Sequence, residues 1–552
     1  MDARRLVAVV LGSGLMVVAA CGGTGSGGGT PDSGTQAKCT IDGVSVTALV
    51  TSVLPGTEVD LGANVKQGQG ATGCNGGVTW ASNPAGAITG TQGQPPGAKF
   101  QTSTPGTYTV TATSVDDSTK VGSVQITVRQ PSTCGTPNGT VVTHSGNITA
   151  DETWAGDGVT HSVTSSVRIK PGATVTVQAC AIVAIANGQE IGVEGDTSGA
   201  GNPAKLVAAG TDVDHFVSFV PATQGQTWAG IRGYNAQSLV ELHWAGVVSA
   251  GYGAIYRNSA IVMEGPGLNQ PPVGVLTADN LVVENPVGGG LLLQGEAAFT
   301  PDSTYLGVTG AQDHPIAMHI LAAGSIPFTQ VQNSVRDDAL MLTDAPNVIQ
   351  DTTLTGHIPL YFETGVKVGQ NAPGTTTTLT IQGGAQLRFA PGNDIRLYFG
   401  NGSAGAGVLM ATGDAADPIV FTSGASAALP GGTAPAPGDW AGMLFLNSQG
   451  SQLSYVTIEY AGASNGWVSN NCRPQGSSDN AAILVDEVPS ADFITNSTIQ
   501  NVSGHGIDAT WVAGTVNDPD IASGNTFNNV SGCKQTYNAK TGGCGTTFGC
   551  TE

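Results

Sequence analysis

The sequence predicts an all-β protein organised as a solenoid, and three observations carry that prediction. The first is an internal repeat: residues 378–389, 408–413, 417–422, 440–443 and 453–462 restate, in the same order, residues 167–177, 205–210, 215–219, 228–231 and 240–246. The second is the make-up of each block. It is a run of about four to six β-branched and apolar residues with alternate positions apolar, ended by Gly, Asn, Pro or Asp. Such residues fit a pleated, half-buried surface, and the punctuating residues supply turns. Many short repeated strands suit a sandwich, a propeller or a solenoid. The third observation favours the solenoid: Asn brackets strand-sized runs at Asn280–Asn285, Asn496–Asn501 and Asn525–Asn529. Stacked coils can join equivalent Asn side chains into hydrogen-bonded ladders. No stretch beyond the first twenty residues shows a helical period over a dozen positions.

The elements follow in order. In residues 1–20, Arg4 and Arg5 precede the apolar run Leu6–Ala20, the pattern of a secretory signal. It ends Val18-Ala19-Ala20-Cys21, which resembles the bacterial lipobox. That resemblance implies acylation of Cys21, which becomes the first mature residue and holds the chain to a membrane. Each buried methylene of such an anchor adds about 0.8 kcal/mol. Gly22, not Asp, follows the cysteine, which implies the outer membrane of a Gram-negative bacterium. Residues 21–38 are a Gly/Ser-rich tether with a coil reach of roughly 20–25 Å. Residues 39–129 read as a small β-sandwich, with a strand at 53–63, Trp80 as a core residue and strict alternation after the turn at 104–106. Residues 130–552 are the solenoid, least regular between Ile255 and Ile358. Gly424–Gly438 and Asn465–Asn480 are expected as protruding loops. The Cys-rich tail Cys533–Glu552 is expected to cap the last coil, whose strand edges would otherwise be unpaired.

The blocks Gly172-Ala-Thr-Val-Thr-Val177, Leu206-Val-Ala-Ala-Gly-Thr211, Phe216-Val-Ser-Phe219, Trp228-Ala-Gly-Ile231 and Val240-Glu-Leu-His-Trp-Ala-Gly246 resemble right-handed parallel β-helix lipoproteins of Gram-negative bacteria, over roughly residues 135–552. Gly106-Thr-Tyr-Thr-Val-Thr-Ala-Thr113, with Trp80 before it, resembles bacterial immunoglobulin-like domains. Together these imply a right-handed parallel β-helix preceded by a small Ig-like β-sandwich that acts as a spacer.

Composition narrows the function. Charged residues are 11% of the chain, against roughly 25% in an average soluble protein. With 40 Asp and Glu against 19 Lys and Arg, the surface repels nucleic acid and anionic headgroups, which sets nucleic-acid partners aside. Of nine cysteines, eight remain besides Cys21, an even number that suggests disulfides in an exported chain. We pair Cys39 with Cys74, Cys134 with Cys180, Cys472 with Cys533 and Cys544 with Cys550, although eight cysteines admit about a hundred connectivities. Zinc is disfavoured, because no two cysteines stand two to four residues apart.

The candidate chemistry is fragmentary. Gly504-His505-Gly506, Asp337-Asp338 and Arg168-Ile169-Lys170 match tripeptide, acid-pair and basic elements of polygalacturonases, whose chemistry needs a carboxylic acid and a carboxylate across the scissile bond. Here the basic triplet comes first instead of last, and the Asp pair lies several coils before His505. Gly-rich turns are therefore the expectation. Arg473-Pro474 and Asp212-Val-Asp-His215 are fragments of a pectate-lyase site at best. Asp212 and Asp214, and Asp116 and Asp117, are Ca²⁺ candidates, with local backbone hydrogen bonding as the plainer expectation. No other cofactor is implied and no catalytic residue is assigned. His243-Trp244 stands where the second copy has Glu459-Tyr460, a polar–aromatic pair before Ala-Gly that could stack a sugar or pack a strand end. Trp228 and Trp440 repeat with the fold and are expected in the core.

The leading expectation is a surface-anchored lipoprotein displaying its β-helix for binding or adhesion to a glycan or cell-envelope component. One alternative is a polysaccharide lyase or glycoside hydrolase, favoured if carboxylates converge with Arg or Lys on one face of adjacent coils. The other is a structural envelope component without an aromatic-lined cleft.

Overall fold

A computed structural model describes residues 39–551, apart from 49–50, 54–58, 69–72, 92–96, 105, 129–133, 135–138, 198–200, 252, 254–255, 343–346, 370–373, 399–404, 465–479, 491, 512–518 and 539–547. The signal segment, Cys21, the tether, most of the 465–480 loop, Cys472, Arg473, Pro474 and Cys544 therefore lie outside the described residues. The chain divides into two compact units, Met1–Pro131 and Ser132–Glu552.

The first unit is two four-stranded sheets. One orders Ile41–Ala48, Val59–Gln67, Gly97–Gln101 and Ala87–Thr91, and the other orders Ser52–Val53, Val121–Val128, Gly106–Ser114 and Val78–Asn83. Their inner faces share one core, with Val59, Leu61 and Phe100 from the first sheet against Val110, Ile126 and Val128 from the second. Gly106–Ser114 alternates as its sequence requires: Tyr108, Val110 and Ala112 are buried and the residues between face outward. Trp80 is a correction. It is half-buried and packs against both core clusters of this unit, while Val78 on the same strand face is the fully buried residue. Cys39 and Cys74 are disulfide-bonded, as paired above.

The second unit is a parallel β-helix. Strands from successive coils pair in parallel and in register, as in Gln386–Phe389 with Ile419–Ser423 and then Ile419–Ser423 with Val456–Glu459. In the later coils three parallel sheets form three faces. Period-2 burial explains the interior: Leu387 and Phe389, then Ile419 and Phe421, then Val456 and Ile458 point inward. Phe362, Phe389 and Trp440 stack on one another inside, with ring centroids 5.2 and 4.5 Å apart.

Corners are made as the Asn pattern predicts. Asn280, Asn285, Asn496, Asn501 and Asn529 all take left-handed backbone, and Asn529 Nδ2 donates to Asn501 Oδ1 of the preceding coil at 2.9 Å. A second device was not foreseen. Serine hydroxyls accept backbone amides from the adjacent coil, as Ser238 does from Gly195 and Ser497 from Val456. These bonds supply partners to amides that a bent corner would leave orphaned.

Cys134 and Cys180 tie the start of the helix, as expected. At the other end the pairing differs. Phe548–Thr551 runs antiparallel to Gln535–Asn538, setting Thr536 opposite Cys550, and this hairpin brings Cys533 to Cys550 with a Cα–Cα distance of 5.2 Å. The expected Cys472–Cys533 and Cys544–Cys550 bridges are thereby replaced by Cys533–Cys550. Phe548–Thr551 is thus the terminal, antiparallel strand of its sheet.

Candidate functional site

A cleft of about 480 Å³, within the usual range for ligand sites, opens on the outer face of the sheet that carries Gln386–Phe389, Ile419–Ser423 and Val456–Glu459. Because inward and outward residues alternate, one outward row crosses successive coils: Leu340, Tyr361, Arg388 and Thr422 are register partners, and Glu459 pairs with Gln500. The floor of the cleft is Gln386, Arg388, Thr422 and Glu459. One wall is the corner Ser334–Asp338, and the opposite wall is the Gly/Ala/Pro loop at 424–438. Gly424 is required where the loop leaves the strand, since a Cβ there would meet the Tyr361 ring at 2.4 Å. Ser423 Oγ and the Ala436 amide both donate to Asp439 Oδ2, at 2.6 and 2.9 Å, and close the neck of this loop.

Electrostatics in the wall are tightly compensated. Arg388 grips Asp337 through both terminal nitrogens, at 2.5 and 3.3 Å, and reaches Asp338 Oδ2 at 3.1 Å. Arg336 donates to both oxygens of Asp338, and His314 Nδ1 stands 2.8 Å from Asp338 Oδ1. Burial pushes the Asp338 carboxyl up, but the hydrogen bonds and charges of His314 and Arg336 win and hold it well below the usual carboxylate range. The Arg336 guanidinium also lies over the Tyr361 ring, 4.1 Å from its centroid. Glu459 accepts from Thr422 Oγ1 and Gln500 Nε2, each at 2.8 Å, so the row is stitched from coil to coil.

These contacts bear on chemistry. A glycosidase acid needs a carboxyl that keeps its proton near neutral pH, and the buried carboxyl here is driven the other way. A uronate-gripping site needs uncommitted cations, and both arginines of this cleft are already bound by Asp337 and Asp338. What the cleft offers a ligand is a dense set of oriented hydrogen-bonding groups, with Tyr460 among its lining.

The other residues singled out in the sequence separate. Asp337 and Asp338 belong to the cleft, and so do Glu459 and Tyr460, whereas His243 and Trp244 lie in earlier coils. Their supposed equivalence is also corrected. The indole N–H groups of Trp228 and Trp440 donate at 2.8 Å to the carbonyls of Val248 and Glu459, and their backbone amides contact Ser249 O and Tyr460 O. The counterpart of Glu459-Tyr460 is therefore Val248-Ser249. Trp244 corresponds to Tyr455, both in left-handed backbone. Trp228 and Trp440 themselves are fully buried.

His505 Nδ1 accepts the Cys533 amide, and its flanking glycines are fixed by packing: Gly504 lies against Asn480 O and Gly506 under the Phe527 ring. Arg168 pairs with Glu190 and Glu194, and Lys170 with Glu194. Asp212 Oδ1 caps the amides of Asp214 and His215 at 2.8 and 3.1 Å. Asp117 accepts from Thr119, and Asp116 from the Gly76 amide. Cys39, Cys74 and Asp116 come within 4.8 Å of one another, but the two sulfurs are spent in the disulfide.

Arg336, Arg388, Gln386 and Thr422 carried no signal in the sequence. Arg336 is the chain neighbour of Asp337, whereas only the coil register brings Arg388 to Asp337 and Thr422 to Glu459. No protein-family model matches this chain, and comparison with curated proteins and with solved structures likewise gave no match.

Proposed function

We propose that this is an exported, lipid-anchored surface protein whose β-helix binds a neutral glycan in the cleft beside Arg388. The observation that supports it is the cleft itself, where oriented polar groups and Tyr460 meet on adjacent coils while every nearby cation is charge-compensated. Vicinal sugar hydroxyls suit such donor and acceptor pairs, and a sugar's apolar face suits the tyrosine ring. The disulfides fit an oxidising compartment outside the cytoplasm. The Val18–Cys21 lipobox resemblance and the tether supply the anchor, and the first unit, resembling an immunoglobulin-like domain, supplies a spacer.

Titration calorimetry of the mature, disulfide-intact chain against neutral and acidic oligosaccharides tests this reading. A neutral ligand should bind, and Glu459→Gln combined with Thr422→Val should abolish its heat. Binding confined to uronates, or binding indifferent to those changes, would sink it.

A hydrolase or lyase is the second reading, favoured by Asp337, Asp338 and Glu459 beside two arginines on one side of adjacent coils. It predicts shortening of a polymer, read by size-exclusion profiles with and without Ca²⁺. The ionised, tightly held Asp338 weighs against it.

A further inference from the structure

Away from the cleft, a second feature follows from register alone. Phe216 immediately precedes the strand Val217–Pro221, whose Val217 pairs with Ala245, so Phe216 stands level with Trp244. His243 pairs with Asp279 and Ala245 with Leu281, which sets Trp244 level with Asn280. Leu281 pairs with Leu306, so Asn280 stands level with Tyr305, and Tyr305 pairs with Phe328. Five successive coils thus place Phe216, Trp244, Asn280, Tyr305 and Phe328 in one row, at a strand spacing of ~4.8 Å.

The rings are seated for contact. Phe216 packs over Gly246 and Tyr305 over Gly307, where a Cβ would meet each ring at 2.9 and 3.4 Å. Glycine at those two positions lets each ring lie back on the sheet. Tyr305 stacks on Phe328 at 6.2 Å and 29°, and Phe328 is 49% exposed. Polar groups flank the rings in fixed positions: Asp279 is held by His243 and Asn280, and Gln330 by the Tyr305 hydroxyl.

We propose that this row is a second, linear docking strip for a neutral polysaccharide lying across the coils, with sugar faces on the rings and hydroxyls toward Asp279 and Gln330. Aromatic faces contribute contact at small entropic cost, and a row repeated coil by coil matches a polymer better than an isolated sugar. The flanking Asp279 carboxylate is hydrogen-bonded to His243, Asn280 and Thr304, and no Arg or Lys stands in the row to grip an acidic chain, which suits an uncharged one. The proposal rests on the glycan reading of the cleft but occupies different residues.

Depletion of the mature chain from solution by insoluble cellulose and chitin tests it. Wild type should be retained by at least one polymer. Phe328→Ala should weaken retention about tenfold, the upper end of what one aromatic contact supplies, while Phe328→Tyr restores it. Glu459→Gln combined with Thr422→Val should abolish soluble-oligosaccharide binding and leave polymer retention unchanged. Retention by neither polymer, or retention that Phe328→Ala does not alter, overturns the strip. Loss of soluble binding in wild type would instead overturn the cleft reading alone.

Discussion

Two coils of this helix share a frame and differ in what they present. In each, a buried indole donates to a strand carbonyl, Trp228 to Val248 and Trp440 to Glu459. Each frame ends in a left-handed corner followed by Ala-Gly, at Ser249 and Tyr460. The outward rows diverge. In the first copy Ala184 pairs with Val220, and Val248 stands one coil further on. In the second, the same places hold Arg388, Thr422 and Glu459. The connection to the tryptophan also grows, from residues 222–227 to residues 424–439. Interior positions must repeat because each coil buries its face against the next, whereas exterior positions are free to acquire chemistry.

The largest test of this contrast lies at the cleft wall. Asp338→Asn removes one partner of a buried ion network and should cost about 3–5 kcal/mol by urea unfolding at pH 7, whereas Val248→Thr in the plain coil should stay within about 0.5 kcal/mol. The Asp338 carboxyl is depressed in the folded state, so its stabilisation is present above the ordinary carboxyl range near pH 4 and fades as pH falls below it. The gap between wild type and Asp338→Asn should therefore narrow at pH 3. A constant gap would mean that packing, not charge, sets the effect.

Next come the tryptophans. Trp228→Phe and Trp440→Phe each leave a carbonyl without its indole donor and should each cost about 1–3 kcal/mol. Unequal losses in thermal unfolding would show that the two frames are not equivalent. Only Trp440→Phe should also weaken glycan binding, because its partner carbonyl belongs to Glu459.

A smaller effect lies one coil beyond Val248, where Glu284 is its register partner. Glu284 is 5% exposed, its Oε1 has no hydrogen-bond partner among the described residues, and burial raises its pKa. With the folded value above the unfolded one, stability falls as pH rises through the carboxyl range. Glu284→Gln should therefore stabilise by roughly 1 kcal/mol at pH 7 and by nothing below pH 4, as read by calorimetry.

The smallest stability change should come from exchanging the loop at 424–438 for residues 222–227. Loop length enters only logarithmically, so the cost should be under ~1 kcal/mol while binding in the cleft disappears. Retained binding would place the ligand on the strand row alone.

Much of the fold was legible because it rests on local preferences. Asn tolerates left-handed corners, alternation sets the strand faces, and the repeated tryptophans are core. The cleft was half legible. Asp337-Asp338 drew attention as an acid pair, with Arg336 beside it in the chain, but Arg388 joins them only through coil lengths that sequence spacing does not reveal. Matching His243-Trp244 to Glu459-Tyr460 failed because Ala-Gly recurs both after Trp244 and after Ser249. A short motif cannot choose between two such places, whereas a hydrogen bond from a tryptophan can. The Cys533 pairing failed for a related reason: proximity in the chain does not report which hairpin strand turns back.

The neck of the 424–438 loop has a further consequence. Ser423, Ala436 and Asp439 hold the two ends of that segment at one carboxylate oxygen, so the upkeep of the coil ends there. Beyond Gly424, whose amide still donates to Phe389 O, backbone bonds such as Leu429 to Ser426 and Gly432 to Leu429 close within the loop, so its tip can vary without disturbing the rungs on either side. The solenoid thereby has a graft point, where new recognition can be trialled by inheritance or by design while the scaffold keeps its register.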